Sequence, residues 1–85
     1  MAPASEHGIL TLYGTSACHL CELAEDIMAS LAVAGVAPPV DKQDISEDDA
    51  LFEAYGERIP VLRDQHGREL GWPFDAQAVV AWLAV

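Results

Sequence analysis

The chain has 85 residues and a formal net charge of −10, from 14 acidic residues against 4 basic ones. That length suits one small domain, and an apolar share of 52% favours a compact core over disorder. The charge argues against nucleic acid and anionic lipid as partners, and no apolar run approaches the length of a membrane span.

Met1 to Gly8 carries no basic segment followed by an apolar one, so the expectation is a short lead-in to the first strand and not a secretory leader. Ile9-Leu10-Thr11-Leu12-Tyr13 is a nearly continuous apolar run closed by Gly14, as in a strand buried on both faces. Thr15 or Ser16 is placed to cap a following helix. In that helix Leu20, Leu23, Ala24, Ile27, Met28 and Leu31 form an apolar stripe opposite Glu22, Glu25 and Asp26. Gly35 is its natural stop.

Pro38 and Pro39 open a more polar strand, Val40 to Ile45, expected at a sheet edge. Its parallel return after a helix predicts a right-handed βαβ unit. Ser46 followed by Asp49 resembles a capping box, starting a short helix whose apolar side is Leu51, Phe52, Ala54 and Tyr55. Tyr55-Gly56 ends it. Ile59 to Arg63 reads as a strand with a proline near its start, Asp64 to Gly67 as a turn, and Arg68 to Trp72 as the second arm of a hairpin. Asp75 caps a last helix in which Ala76, Val79, Val80 and Leu83 face the sheet and Trp82 covers its margin. The acids of the first two helices read as solvated faces. The order β-α-β-α-β-β-α predicts an α/β fold, a four-stranded mixed sheet with three helices. It forms a single domain with its core at about residues 9–83.

Both cysteines, Cys18 and Cys21, lie where the first strand turns into the first helix. The C-x-x-C spacing lets one sulfur sit at an exposed helix start while the other lies one turn further in. The pair can then close a disulfide, or the helix N–H groups and dipole can hold the first sulfur as a thiolate. A bridge closing so short a loop removes little unfolded-chain entropy, so the pair suits chemistry better than stability, in a reducing cytoplasm. Structural zinc wants four ligands. His7 and His66 have no second cysteine pair near them in the sequence, and His19, between the cysteines, is badly placed to close a tetrahedron with both, so no metal is expected.

A strand, C-x-x-C at a helix start, a βα segment, X-Pro opening a hairpin and a terminal helix together resemble the thioredoxin fold. The compact form resembles a glutaredoxin, over about Ile9 to Leu83. The resemblance implies a thiol–disulfide oxidoreductase with Cys18 as nucleophile and Cys21 as resolving thiol. It also implies that Pro60 is a cis-proline facing the dithiol, with the Ile59 N–H and C=O pairing with an extended substrate segment. His19 and Arg58 are candidates for tuning the thiol. No bound cofactor is implied; glutathione or another cellular thiol would be the reductant. Partners would be a disulfide-containing protein or a small thiol, met by a monomer. The tetrad Cys18-His19-Leu20-Cys21 differs from the C-P-Y-C of typical glutaredoxins, and Gly71-Trp72-Pro73-Phe74-Asp75 has one glycine where they have a pair. The alternatives are a thioredoxin-fold binding module without turnover and an iron–sulfur or metal carrier.

Overall fold

The computed structural model describes residues 9–84; the lead-in expected over residues 1–8 and the residue His7 lie outside them. The elements are β1 (Leu10–Gly14), α1 (His19–Val33), β2 (Val40–Asp44), a 3-10 turn (Ile45–Glu47), α2 (Asp49–Tyr55), β3 (Val61–Arg63), β4 (Glu69–Gly71) and α3 (Ala76–Leu83). The sheet order is β2-β1-β3-β4. β2 runs parallel to β1, whereas β3 lies antiparallel to β1 and β4 to β3. The polar strand β2 therefore stands at an edge, as its composition suggested.

Alternation along β1 builds two cores. Leu10 and Leu12 join Leu62, Met28, Val79 and Leu83 in the larger one, which α1 and α3 cover. Tyr13 points the other way and joins Ile45, Tyr55 and Val61 under α2. The cross-strand pairs Leu12–Leu62 and Tyr13–Val61 keep each side chain on its own face.

Helix α1 is turned from the expected phase. Its buried residues are Cys21, Ala24, Met28 and Leu31, while Leu20 and Leu23 are 43% and 39% exposed. Cys21 sets this phase: its sulfur packs against Gly14, where an added β-carbon would lie 3.0 Å away. With the first turn fixed in this way, Leu20 and Leu23 fall to the flank. The helix ends as Gly35 predicted. Gly35 has φ +76°, its N–H donates to the Ala32 carbonyl, and the Val36 N–H reaches the Leu31 carbonyl. Both bonds satisfy carbonyls that the helix end would otherwise leave unpaired.

Two caps differ from expectation. Ser46 does not start α2; its N–H and hydroxyl both donate to Asp44 Oδ1, at 2.9 and 2.6 Å, closing the separate 3-10 turn. Asp48 is the cap, accepting from the Leu51 N–H at 3.1 Å. Helix α2 is only seven residues long and buries little: Tyr55 is buried and Leu51 half-buried, while Ala54 is exposed and Phe52 is 57% exposed. Tyr55 stacks on Tyr13 with ring centroids 4.4 Å apart, and this contact fixes the helix on the sheet.

The hairpin strands are shorter than expected, since Ile59-Pro60, Arg68 and Trp72 lie outside the ladder. Buried Asp64 organises the turn, accepting from the N–H groups of His66 and Arg68 and from Arg68 Nε at 2.7 Å. Asp75 caps α3 through the Ala78 N–H, as predicted. Val79 and Leu83 are buried there, but Ala76 is exposed and Val80 is 42% exposed. Eight residues expose one face of so short a helix whatever its composition. Trp82 packs at the margin of the larger core, with the Arg68 guanidinium over its ring at 5.3 Å.

Candidate functional site: the Cys18–Cys21 bridge

β1 ends at Gly14, and a turn through Thr15, Ser16 and Ala17 delivers Cys18 to the start of α1. Cys18 is extended (φ −128°, ψ 108°) and is itself the helix cap. Neither Thr15 nor Ser16 performs that role, because the turn places both before the first helical residue and Cys18 is nearer. Cys18 Sγ accepts the Cys21 N–H at 3.1 Å, and the Cys18 carbonyl accepts the Glu22 N–H at 3.1 Å. The two cysteines form a disulfide with their α-carbons 5.2 Å apart. They are unequally placed: Cys18 is half-buried, whereas Cys21 is 1% exposed.

Pro60 is fully buried, the Ile59–Pro60 peptide bond is cis, and so is Trp72–Pro73, which sequence reading did not foresee. The Pro60 carbonyl accepts the Trp72 N–H at 3.1 Å, tying the two prolyl segments together. The expectation that the Ile59 N–H faces a substrate is corrected: it donates to the Tyr55 carbonyl at 3.1 Å, because α2 ends there with unpaired carbonyls. Trp72 and Phe74 pack edge to face, centroids 5.1 Å apart, Phe74 within the larger core and Trp72 against it.

The two candidate tuning residues have other partners. His19 is largely exposed, with Nδ1 4.0 Å from Glu22 Oε1. Arg58 donates to Glu69 Oε1 at 2.6 Å and lies over the Tyr55 ring at 5.0 Å. Glu69 also accepts the Tyr55 hydroxyl. That hydroxyl, followed by the Arg58 guanidinium, holds the Glu69 carboxyl below its ordinary range. The same bond, with burial, pushes the Tyr55 phenol up.

Sequence reading missed what lies beside Cys21. A cavity of about 180 Å³ is lined by Gly14, Thr15, Cys21, Glu25, Lys42 and Asp44, among others. Glu25 follows Cys21 by four residues and so shares its helix face; that spacing was the available signal. Lys42 Nζ reaches Glu25 Oε1 at 3.3 Å across the α1–β2 boundary, a pairing that only the register of β2 reveals. Among the described residues, no group of three or more His, Cys, Asp or Glu side chains is placed to hold a metal ion. No helix among them is long and apolar enough to cross a membrane.

A C-x-x-C bridge at the start of the helix that follows a central strand, in a mixed sheet of this order, defines a small thioredoxin-like domain. The chain belongs to the glutaredoxin-like domain family (DUF836), which it matches over residues 9–84. It is similar to the Northeast Structural Genomics target protein XcR50 from X. campestris. The X-ray structure of that protein has 48% identity and a TM-score of 0.79, and the match covers 88% of this chain and 95% of that one. Its solution structure gives 47% identity and a TM-score of 0.74, over 88% and 91% of the two chains. Protein Ne2328 from Nitrosomonas europaea, solved by NMR, is similar at 30% identity and a TM-score of 0.65, over 86% and 87%. No curated protein matches the chain.

Proposed function

We propose that this domain is a thiol–disulfide oxidoreductase acting on a protein disulfide or a small-thiol disulfide. The observation that carries the reading is the asymmetry of the bridge: a half-buried Cys18 whose sulfur accepts an amide N–H, and a buried Cys21 one turn further in. An N–H aimed at sulfur at a helix start favours the thiolate, the form that attacks disulfides. Cys18 attacks a substrate disulfide and forms a mixed disulfide. Cys21 then attacks Cys18, closing the intramolecular bridge and releasing the reduced product. Pro60 and the Ile59 carbonyl border the substrate's approach in this reading. No resident cofactor takes part; glutathione or another thiol re-reduces the pair, and the domain works as a monomer in a reducing cytoplasm.

Equilibration against glutathione buffers, with Cys18→Ser as control, tests this. A reversible two-electron transition that the control lacks is the expected result. Two thiols that neither oxidise nor react in the folded protein would leave a binding module and remove the enzyme.

A further inference from the structure

Cys21 poses a problem of its own. The residue is 1% exposed, yet in the proposed exchange its thiol must lose a proton before it can attack. Cys21 lines the cavity described above, which is large enough to hold water. Three ionisable groups besides Cys21 line it: Glu25 from α1, and Lys42 and Asp44 from β2. The lining residues of β1, Leu12 and Gly14, carry none. On α1, His19 and Glu22 pair with each other at the surface, and Asp26 lines a neighbouring cavity beside Pro39 and Val40. Asp44 is already committed, since the Ser46 hydroxyl and N–H both donate to it and together hold its carboxyl below the ordinary range. Lys42 is a cation and accepts no proton. Glu25 remains, on the Cys21 face of the helix and held by Lys42 at 3.3 Å.

We infer that Glu25 is the proton acceptor for the Cys21 thiol, with Lys42 as the residue that positions its carboxylate at the cavity. The inference rests on the dithiol reading proposed above. In the resolving step the Cys21 S–H proton passes to the Glu25 carboxylate through water in the cavity. The Cys21 sulfur forms a bond to Cys18 Sγ, and the bond from Cys18 to the substrate sulfur breaks. The substrate sulfur leaves with the electron pair as a thiolate, so the cysteine pair is oxidised by two electrons and the substrate reduced by two. Glu25 then returns its proton to solvent.

Electrostatics alone predicts the opposite of this role. A bare carboxylate near a thiol opposes thiolate formation, so neutralising it speeds the attack; removing a proton acceptor slows it. The test uses the reduced full-length protein and dithiodipyridine, an uncharged aromatic disulfide that avoids repulsion by this acidic chain. Each molecule releases two pyridinethiones, the first on attack by Cys18 and the second on attack by Cys21, resolved by stopped flow. Glu25→Gln is expected to leave the first release unchanged and to slow the second by about tenfold or more. The variant's second step should then follow the ionisation of an unassisted thiol, falling about tenfold per pH unit below its pKa, while the wild-type rate falls less steeply. Lys42→Met is expected to slow the second release to a smaller extent, and Lys42→Arg to restore it. A second release in Glu25→Gln as fast as wild type, or faster, overturns the inference and leaves the dithiol reading intact. Absence of the first release in wild type would instead remove the dithiol reading itself.

Discussion

The Cys21 sulfur rests directly against the backbone of Gly14: a β-carbon at that position would lie 3.0 Å from Sγ and 3.2 Å from the Cys21 β-carbon. Contacts that close force a neighbour to move, and here the neighbour is tied into a disulfide. Gly14→Ala is therefore expected to lower stability by about 1 kcal/mol. Overpacking costs about 1–3 kcal/mol and loss of chain freedom in the unfolded state returns about 0.4–1 kcal/mol. Urea unfolding of the oxidised proteins measures it, and an alanine variant at least as stable as wild type would refute the close packing.

Asp64 is 6% exposed and is the acceptor around which the hairpin turn closes. Burial alone would raise its pKa. The Arg68 side chain and the N–H groups of Arg68 and His66 outweigh burial and hold the carboxyl below its ordinary range. A group whose pKa is depressed by folding contributes stability above its unfolded pKa of about 3.9, and that contribution is lost as the pH falls through the folded value. Asp64→Asn is expected to lose about 2 kcal/mol at neutral pH and to flatten the acid limb of the stability curve. Urea midpoints collected from neutral to acid pH would show both effects; parallel curves for the two proteins would count against this role.

The phase of α1 makes a sharp contrast between two apolar residues. Met28 is 1% exposed and Leu20 43%. Met28→Ala should cost about 2–5 kcal/mol through the cavity it leaves, whereas Leu20→Gln should stay within about 0.5 kcal/mol. Comparable losses for the two variants would mean that the helix sits in the phase its leucines suggested.

His19 lies between the two cysteines and Arg58 two residues before Pro60, but the structure pairs them with Glu22 and Glu69. Arg58→Gln is expected to cost no more than about 1 kcal/mol, as an exposed pair does. Neither Arg58→Gln nor His19→Gln should move the redox potential of the cysteine pair by more than about 30 mV, the equivalent of about 1.4 kcal/mol. A larger shift from either variant in glutathione buffers would restore it as a tuning residue.

The order of elements was legible because each carries its own punctuation. Gly14 and Gly35 bracket α1 with its turn, Pro39 precedes β2, and Asp75 opens α3. The cysteine pair was legible because C-x-x-C is a local pattern on one helical turn. What escaped depends on competition or on distance. Thr15, Ser16 and Cys18 all had the chemistry to cap α1, and only the shape of the turn selects Cys18. Two adjacent stripes on α1 satisfy the same periodicity, and the contact of Cys21 with Gly14 decides between them. The Ile59 N–H looked available until the end of α2 came to meet it. The Glu25–Lys42 pair joins residues 17 apart in sequence, and no local pattern announces it.

Because the Cys18 sulfur also closes the helix start, the two serine variants are unequal. Serine at Cys18 places a hydroxyl where a good cap already belongs, so its oxygen can take over the Cys21 N–H. Serine at Cys21 puts a hydroxyl into a site that is 1% exposed, against the backbone of Gly14. A trap for captured partners built on Cys21→Ser thus begins from a weakened scaffold, and its yield has to be judged against that handicap before any capture is compared with the Cys18→Ser blank.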